Sequence, residues 1–230
     1  MSRSATEAHK KKHPHCMIIG AGPGISHAVA LEFAHAGYNI SLLARRPQRL
    51  GPMCDEIHKK TGRHGRAHAA DAASERALIE GIDAARGDLG DVDVLIYNVA
   101  THEPGRPMAV SSERLVDDFR INVVGALLSA RAVAPAMIAR KRGTILFTGG
   151  GFAYDPSPDY ASLSMDKAAL RSLTYTLAQE LGAHGVHVAT VTVHGFVQHG
   201  TKFDPSRIAR AYIALHEQPK GHFDIETVYK

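Results

Sequence analysis

A glycine-rich segment near the N-terminus combines the residue types and spacing that bind a pyrophosphate. An apolar run at residues 16–19 leads into a helical pattern through the sequence Gly20-Ala21-Gly22-Pro23-Gly24-Ile25-Ser26. Glycines between a strand and a helix allow backbone amides and the helix N-terminus to approach phosphate oxygens closely. The common G-x-G-x-x-G pattern is altered, because Ile25 replaces its third glycine. The segment therefore predicts a dinucleotide site with an unusual loop.

Two arginines indicate which dinucleotide would bind. Arg45 and Arg46 follow a second apolar run, at the place where NAD-binding proteins usually carry a carboxylate for the ribose 2′-hydroxyl. A guanidinium group binds phosphate through two parallel hydrogen bonds, whereas a carboxylate would repel it. We therefore predict NADP(H) as the cofactor in preference to NAD(H).

Alternating strands and helices must position these groups. Apolar runs typical of buried strands occur at residues 16–19, 39–44, 66–69, 92–97, 144–147 and 186–193, with a possible edge strand at 222–229. Helical patterns occupy residues 25–36, 48–61, 74–86, 113–140, 161–181 and 206–216. Apolar strands separated by helices predict a doubly wound parallel sheet of six or seven strands with helices on both faces. We expect a single α/β domain of the Rossmann type over residues 16–230.

Composition and charge exclude several other classes of protein. The chain has 230 residues, 44% of them hydrophobic and 22% charged, which suits a folded domain with a sizeable core. Four basic side chains against Glu7 give residues 1–15 a net charge of +3, out of +4 for the chain. The basicity therefore belongs to a tail, which we expect to be flexible, and no nucleic-acid partner is predicted.

The cysteine, histidine and apolar residues indicate where the protein is located and whether it binds a metal. Cys16 and Cys54 are the only cysteines, which argues against a disulfide framework. We find no apolar run long enough to span a membrane and no signal peptide, so we expect a cytoplasmic protein with no membrane partner. The histidine pairs 9/13 and 64/68 fall outside the predicted helices, so their i, i+4 spacing does not indicate a metal site.

Four further motifs occur in a fixed order along the chain. They are Asp71 after Ala69-Ala70, the turn Tyr97-Asn98-Val99-Ala100, Asn122 within residues 119–125, and Lys167-Ala168-Ala169-Leu170. Together with the glycine loop they resemble the short-chain dehydrogenase/reductase family from residue 16 to about residue 200. The resemblance implies an oxidoreductase that acts on a small molecule. It also implies a homo-oligomer, a dimer or tetramer, with residues 113–140 and 161–181 at the interface.

The same resemblance assigns roles to individual residues. Asp71 would bond the adenine amine, Asn122 would order water beside the active lysine, and Lys167 would bind the nicotinamide ribose. The cofactor-binding residues that we predict are Gly20, Gly22, Pro23, Gly24, Ile25, Ser26, Arg45, Arg46, Asp71, Asn98, Val99, Ala100 and Lys167.

Two residues that the family usually employs in catalysis are replaced. Most members carry a tyrosine four residues before the lysine, whose ammonium lowers the tyrosine pKa, and a serine about thirteen residues before that tyrosine. This sequence has Leu163 and Gly150 at those positions. Ordinary ketone reduction would then lack a positioned proton donor.

A divergent branch of the family offers a different arrangement. The sequence contains Gly20-x5-Ser26-x-Ala28 and Tyr160-x2-Leu163-x3-Lys167, which resemble the glycine loop and the Tyr-x2-Met-x3-Lys pair of the enoyl-acyl-carrier-protein reductases. Residues seven apart on a helix share one face, about 10 Å apart along the axis. Tyr160 would then contact the substrate oxygen, with Tyr154 as the alternative residue.

Two functions from different classes are consistent with these residues. The first is an NADP(H)-dependent oxidoreductase that reduces a carbonyl or an activated C=C, with Lys167, Asn122 and Tyr160 as its catalytic residues. The second is a catalytically silent NADP(H)-binding protein with a sensing or assembly role, which the replacements at Leu163 and Gly150 would explain.

Overall fold

A computed structural model describes residues 13–230, so most of the expected basic tail lies outside the described residues. The folded domain begins before residue 16, where we expected it to begin, because His15 is already buried in the first strand. The strands are β1 (His15–Ile19), β2 (Asn39–Ala44), β3 (Gly65–Ala69), β4 (Val94–Tyr97), β5 (Gly143–Gly150), β6 (Val186–Val193) and β7 (Glu226–Tyr229). The helices are α1 (Ile25–His35), α2 (Gly51–Thr61), α3 (Glu75–Leu89), α4 (Ser112–Phe119), α5 (Gly125–Arg140), α6 (Ala161–Gly182) and α7 (Pro205–His216).

The seven strands form one sheet in the order β3-β2-β1-β4-β5-β6-β7. Every neighbouring pair is parallel, which confirms the doubly wound fold expected from the alternating pattern. The strand order reverses direction between β1 and β4. In such sheets ligands bind in the crevice that opens at this point, beyond the carboxyl ends of the strands.

Each face of the sheet is covered by its own helices. Met17 and Ile19 of β1 face a core shared with α3, α5 and α6, whereas Cys16 and Ile18 face a core shared with α1, α2 and α7. The alternation follows from the two-residue period of a strand. Because both faces are covered, the central strands are apolar on both sides, as the sequence pattern requires.

The predicted helix at 113–140 is interrupted in its middle. Arg120–Val124 form a π-helical turn between α4 and α5, in which the Gly125 amide donates to the Arg120 carbonyl. This turn carries Asn122 and frees the Ile121 carbonyl to accept a hydrogen bond from the Tyr97 hydroxyl. The segment Ser112–Arg140 is also long and apolar enough to cross a membrane, contrary to our expectation. Half of its most apolar window is buried in this fold, and core helices of folded domains pass the same test.

Five strands differ in length from the prediction, and two of them, β1 and β3, differ only by beginning one residue earlier. Strand β5 extends to Gly150 and so includes two of the three consecutive glycines, because its register with β6 continues from Gly143 to Gly150. Strand β4 begins at Val94, and β7 is confined to Glu226–Tyr229. The extension of β5 brings Gly150 to the carboxyl edge of the sheet, where the candidate site lies.

Candidate functional site

The glycine loop is fixed to the turn that follows β4. Gly20 has a φ of +83°, and a Cβ there would lie 2.7 Å from the Asn98 carbonyl carbon, so only glycine fits. The Ser26 hydroxyl donates to the Gly20 carbonyl at 2.9 Å and accepts from the Asn98 amide at 2.6 Å. Ser26 is buried, and its side chain closes the loop. Its predicted contact with the cofactor stays a prediction.

A cleft of about 460 Å³ opens beside this loop. It lies at the switch point between β1 and β4, and its walls come from the ends of four strands. Nine of the predicted cofactor-binding residues line it: Gly20, Gly22, Pro23, Arg45, Arg46, Asp71, Asn98, Val99 and Ala100. Arg49 and Thr101 line it as well, although we did not predict them.

Some predicted residues lie outside the walls of this cleft. Gly24 and Ile25 form the start of α1, so their predicted contribution is limited to the loop and the helix N-terminus.

Asp71 lines the cleft, but one of its carboxylate oxygens also accepts from the Ala73 amide at 3.0 Å. Its predicted bond to an adenine amine stays a prediction.

Lys167 is held at the carboxyl edge of the sheet by α6. The residue is 7% exposed, and its Nζ donates to the Thr148 carbonyl of β5 at 2.7 Å. Burial lowers the pKa of Lys167 to about 8, and the neighbouring Asp166 carboxylate opposes this fall. Near pH 7 the side chain therefore remains an ammonium group with little contact with solvent.

Asn122 has partners other than those predicted. Its Oδ1 accepts from the Thr101 amide at 2.8 Å, while its Nδ2 donates to Thr101 Oγ1 at 2.9 Å and to Asp166 Oδ2 at 2.7 Å. The side chain thus joins the cleft wall to α6. Its predicted role in ordering water beside the lysine stays a prediction.

The three consecutive glycines have different neighbours. A Cβ on Gly149 would lie 2.6 Å from Thr192 Oγ1, and one on Gly151 would lie 2.6 Å from the His194 ring. A Cβ on Gly150 would meet the methylene stem of Lys167 at 3.4 Å, which is ordinary van der Waals contact. The position where the family usually has serine therefore lies directly against the lysine and has room for a side chain.

The two candidate tyrosines differ in their surroundings. Tyr160 directly precedes α6, and its ring stacks on Phe152 with centroids 5.7 Å apart. The Tyr154 hydroxyl instead donates to Glu226 at 2.7 Å and accepts from Arg171 at 3.0 Å. Because this hydroxyl is already bound within an ion-paired cluster, the geometry does not support Tyr154 as the partner of a substrate oxygen.

The parallel sheet and the cleft at its switch point define a Rossmann-type domain. The family model described as short chain dehydrogenase matches residues 14–204. The chain therefore belongs to the short-chain dehydrogenase/reductase family, whose members are oxidoreductases.

Curated relatives give a more detailed comparison. The chain is 34% identical over 182 residues to a very-long-chain 3-oxoacyl-CoA reductase of Aspergillus oryzae, which covers 77% of this chain and 52% of that protein. It is 36% identical over 183 residues to the reductase of the same name from Emericella nidulans, again covering 77% and 52%. The chain thus spans about half the length of the curated relatives it matches.

Solved structures of the family share the whole fold. A metagenomic short-chain oxidoreductase in complex with NADP superposes with a TM-score of 0.86 at 28% identity, over 94% of this chain and 96% of that one. A short-chain dehydrogenase from Rhodopseudomonas palustris superposes with a TM-score of 0.84 at 25% identity, over 94% and 98%.

Sequence reasoning missed several residues that border the site. Asp166, Thr101 and Thr148 contact the predicted residues Asn122 and Lys167, and Arg49 adds a third guanidinium to the cleft wall. Asp166 could have been found from the sequence, because it directly precedes Lys167. The hydrogen bond from Lys167 to Thr148 could not, because its acceptor is a backbone carbonyl, which no side-chain pattern reveals.

Proposed function

We propose that this protein is an NADP(H)-dependent oxidoreductase that reduces a carbonyl or an activated C=C of a small molecule. The observation that carries the proposal is the cleft at the switch point. Its glycine loop, its three arginines and the Asn98–Thr101 turn face one space, and Nζ of buried Lys167 on α6 is bound to Thr148 near the end of the adjacent strand β5. A glycine loop and a helix N-terminus suit a pyrophosphate, and guanidinium groups suit a 2′-phosphate.

Different residues of the chain would bind the cofactor and the substrate. NADPH, when bound, supplies the hydride. The Lys167 ammonium would hold the ribose hydroxyls, and the Tyr160 hydroxyl would donate a hydrogen bond to the substrate oxygen as negative charge develops there. Tyr160 lies seven residues before Lys167 at the start of the same helix, which supports this assignment.

Two observations favour different substrates. The curated relatives are named reductases of 3-oxoacyl thioesters, which favours a carbonyl group. The spacing of Tyr160 and Lys167 resembles that of the enoyl reductases, which favours an activated C=C. A reduced C=C leaves an enolate, which needs hydrogen bonding more than immediate protonation.

The test is NADPH oxidation against a panel of ketones, 3-oxoacyl thioesters, enones and enoyl thioesters. Turnover of any of them above the rate without enzyme would support the oxidoreductase. Tight NADPH binding without turnover across the panel would instead support the catalytically silent NADP(H)-binding protein. Failure to bind NADPH would reject both.

Tyr160→Phe tests the proposed substrate contact. This change keeps the ring stacked on Phe152 and removes only the hydroxyl. We expect kcat/KM for the best substrate to fall by about ten- to a hundredfold, with NADPH affinity unchanged, because the hydroxyl would act on the transition state. Tyr154→Phe is the matched control and should keep its rate. An unaffected rate in Tyr160→Phe would rule out this role.

We also propose a homo-oligomer in the cytoplasm. Val116 and Phe119 of α4 and Met165 of α6 are exposed apolar residues on the two segments expected at the interface. Sedimentation velocity measures the oligomeric state directly.

A further inference from the structure

The segment that follows β4 connects the cofactor cleft to Tyr160. Thr101 lines the cleft, and four residues further on Gly105 pairs with Tyr160 in a short parallel bridge. In this bridge the Gly105 amide donates to the Asp159 carbonyl at 2.7 Å, and the Ala161 amide donates to the Gly105 carbonyl at 3.0 Å. The position of Tyr160 relative to the cleft therefore depends on the path of the chain between these two points.

Arg114 of α4 holds that path in place. Its guanidinium group donates to the Glu103 carbonyl at 2.6 Å and to the Pro104 carbonyl at 3.0 Å. Both acceptors lie in a segment without regular secondary structure, so their hydrogen bonds must come from elsewhere in the chain. A planar guanidinium group carries its donors at fixed spacing and can bind two successive carbonyls at once. The ammonium group of a lysine cannot reproduce this geometry.

Asp118 connects the same arginine to the first turn of α6. It lies one helical turn after Arg114 on α4, and its Oδ2 is 3.5 Å from Arg114 Nε. The same oxygen accepts from the Ser162 hydroxyl at 2.7 Å. Asp118 and Ser162 are both buried, so water does not compete for this bond. Tyr160 is therefore held by its bridge to Gly105 and by a second contact two residues further along the chain.

We propose that Arg114 and Asp118 are positioning residues that fix Tyr160 relative to the cofactor cleft. Arg114 acts through the segment that carries Gly105, and Asp118 acts through Ser162. The consequence for catalysis rests on the function proposed above, because it requires the Tyr160 hydroxyl to contact the substrate oxygen. The consequence for the order of the segment around Tyr160 does not depend on that function.

The direct test is amide hydrogen exchange, measured by NMR on the ligand-free protein. Arg114→Lys keeps the positive charge and loses the fixed pair of donors. We expect the amides of Gly105 and Ala161 to exchange about tenfold faster or more in this variant, because opening of the bridge exposes them. Arg120→Lys is the matched control, because it replaces an arginine whose pair with Asp117 is exposed. Both amides should keep their exchange rates in the control.

Unchanged exchange of both amides in Arg114→Lys would overturn the proposal, as would an equal increase in Arg120→Lys. If Arg114→Lys does not fold, as judged by its thermal melt, Arg114→Gln takes its place, since it keeps an amide donor and removes the charge. Ser162→Ala removes the contact with Asp118 and should speed exchange of the Ala161 amide. An unchanged rate there would overturn the role assigned to Asp118.

Steady-state kinetics connect this pair to catalysis. In Arg114→Lys we expect kcat for the best substrate to fall by about three- to tenfold with NADPH affinity unchanged, because Arg114 does not line the cleft. The double variant Arg114→Lys with Tyr160→Phe should be no slower than Tyr160→Phe alone. A residue that acts through the hydroxyl has no further effect once the hydroxyl is absent.

Two kinetic outcomes have different consequences. Losses that multiply in the double variant would overturn the proposal, because Arg114 would then act by another route. A protein that turns over no substrate would reject the proposed function, while amide exchange would still decide whether Arg114 and Asp118 hold Tyr160 in place.

Discussion

At the scale of single residues, Arg45 and Arg46 bear most directly on cofactor choice. Both line the cleft after β2, together with Arg49. We expect Arg45→Ala to weaken NADPH binding by about tenfold or more while leaving NADH binding nearly unchanged, because a charge-assisted bond to phosphate contributes about 1.5–3 kcal/mol. Fluorescence titration of both nucleotides measures this difference. Equal affinity of the wild type for NADPH and NADH would show that the arginines do not select the cofactor.

Substitutions at residues 150 and 163 test whether the serine and tyrosine that the family usually has there would support ketone reduction. Gly150 lies against the stem of Lys167, and Leu163 is half-buried four residues before it on α6. We expect Gly150→Ser with Leu163→Tyr to create or raise ketone reduction by about 10²- to 10⁴-fold, because a general acid would then be positioned beside the lysine. The rate with simple ketones is the measurement.

Leu163→Phe with Gly150→Ser is the control for the double change, since it lacks only the phenol. If the wild type already reduces simple ketones at rates ordinary for the family, and Leu163→Ala does not alter them, the reasoning from these two positions is wrong.

At the scale of elements, Gly149 of β5 leaves room for two threonine side chains of β6. Its Cβ would lie within 2.7 Å of the hydroxyls of both Thr190 and Thr192. These hydroxyls are themselves bound, to the Phe147 carbonyl and to Glu226, so neither can simply turn away. We expect Gly149→Ala to lower the free energy of unfolding by about 1–3 kcal/mol.

Gly150→Ala is the matched control on the same strand, since its Cβ would have ordinary contacts. Urea unfolding of both variants measures the difference. Equal stability of Gly149→Ala and Gly150→Ala would contradict the packing argument.

The elements also show what the sequence could and could not predict. The strands and helices were predictable, because apolar runs and helical periods reflect burial on the two faces of the sheet. The glycine loop and Arg45 were predictable from their place directly after β1 and β2. The break in the helix at Asn122 was not, because the π-helical turn depends on contacts of Asn122 with Thr101 and Asp166, which are distant in sequence.

Ser26 illustrates the same limit within the site. Its spacing from Gly20 predicted that it belongs to the loop, and the structure shows its hydroxyl bonded to the Gly20 carbonyl. The direction of its side chain could not be predicted, because Asn98, which it contacts, lies 72 residues further along the chain.

At the scale of the whole molecule, three histidines make stability depend on pH. His15 and His187 are buried, and His216 lines a cavity of about 700 Å³ at the edge of the sheet opposite the candidate site. Burial lowers the pKa of all three below 6.5. The unfolded chain therefore binds more protons, so stability is complete above pH 6.5 and is lost as the pH falls below it.

We expect the free energy of unfolding to decrease between pH 7 and 5.5, by up to about 1.4 kcal/mol per pH unit for each histidine. Asp166 has the opposite effect, because burial raises its pKa and makes the folded state bind more protons, but it is one group against these three histidines and His68, whose pKa burial also lowers. Urea midpoints measured across this range provide the test. His187→Gln should reduce the slope, whereas a flat profile in the wild type would refute the argument.

The π-helical turn also limits which insertions and deletions the chain can tolerate. A turn of this kind contains one residue more than an α-helical turn. Deletion of a single residue between Arg120 and Val124 would therefore give a regular helix and leave α5 facing the core as before. The deletion would instead remove the Ile121 carbonyl as acceptor for the Tyr97 hydroxyl and shift Asn122 away from Thr101 and Asp166. The extra residue in this turn is thus required by the wall of the candidate site and not by the packing of α5.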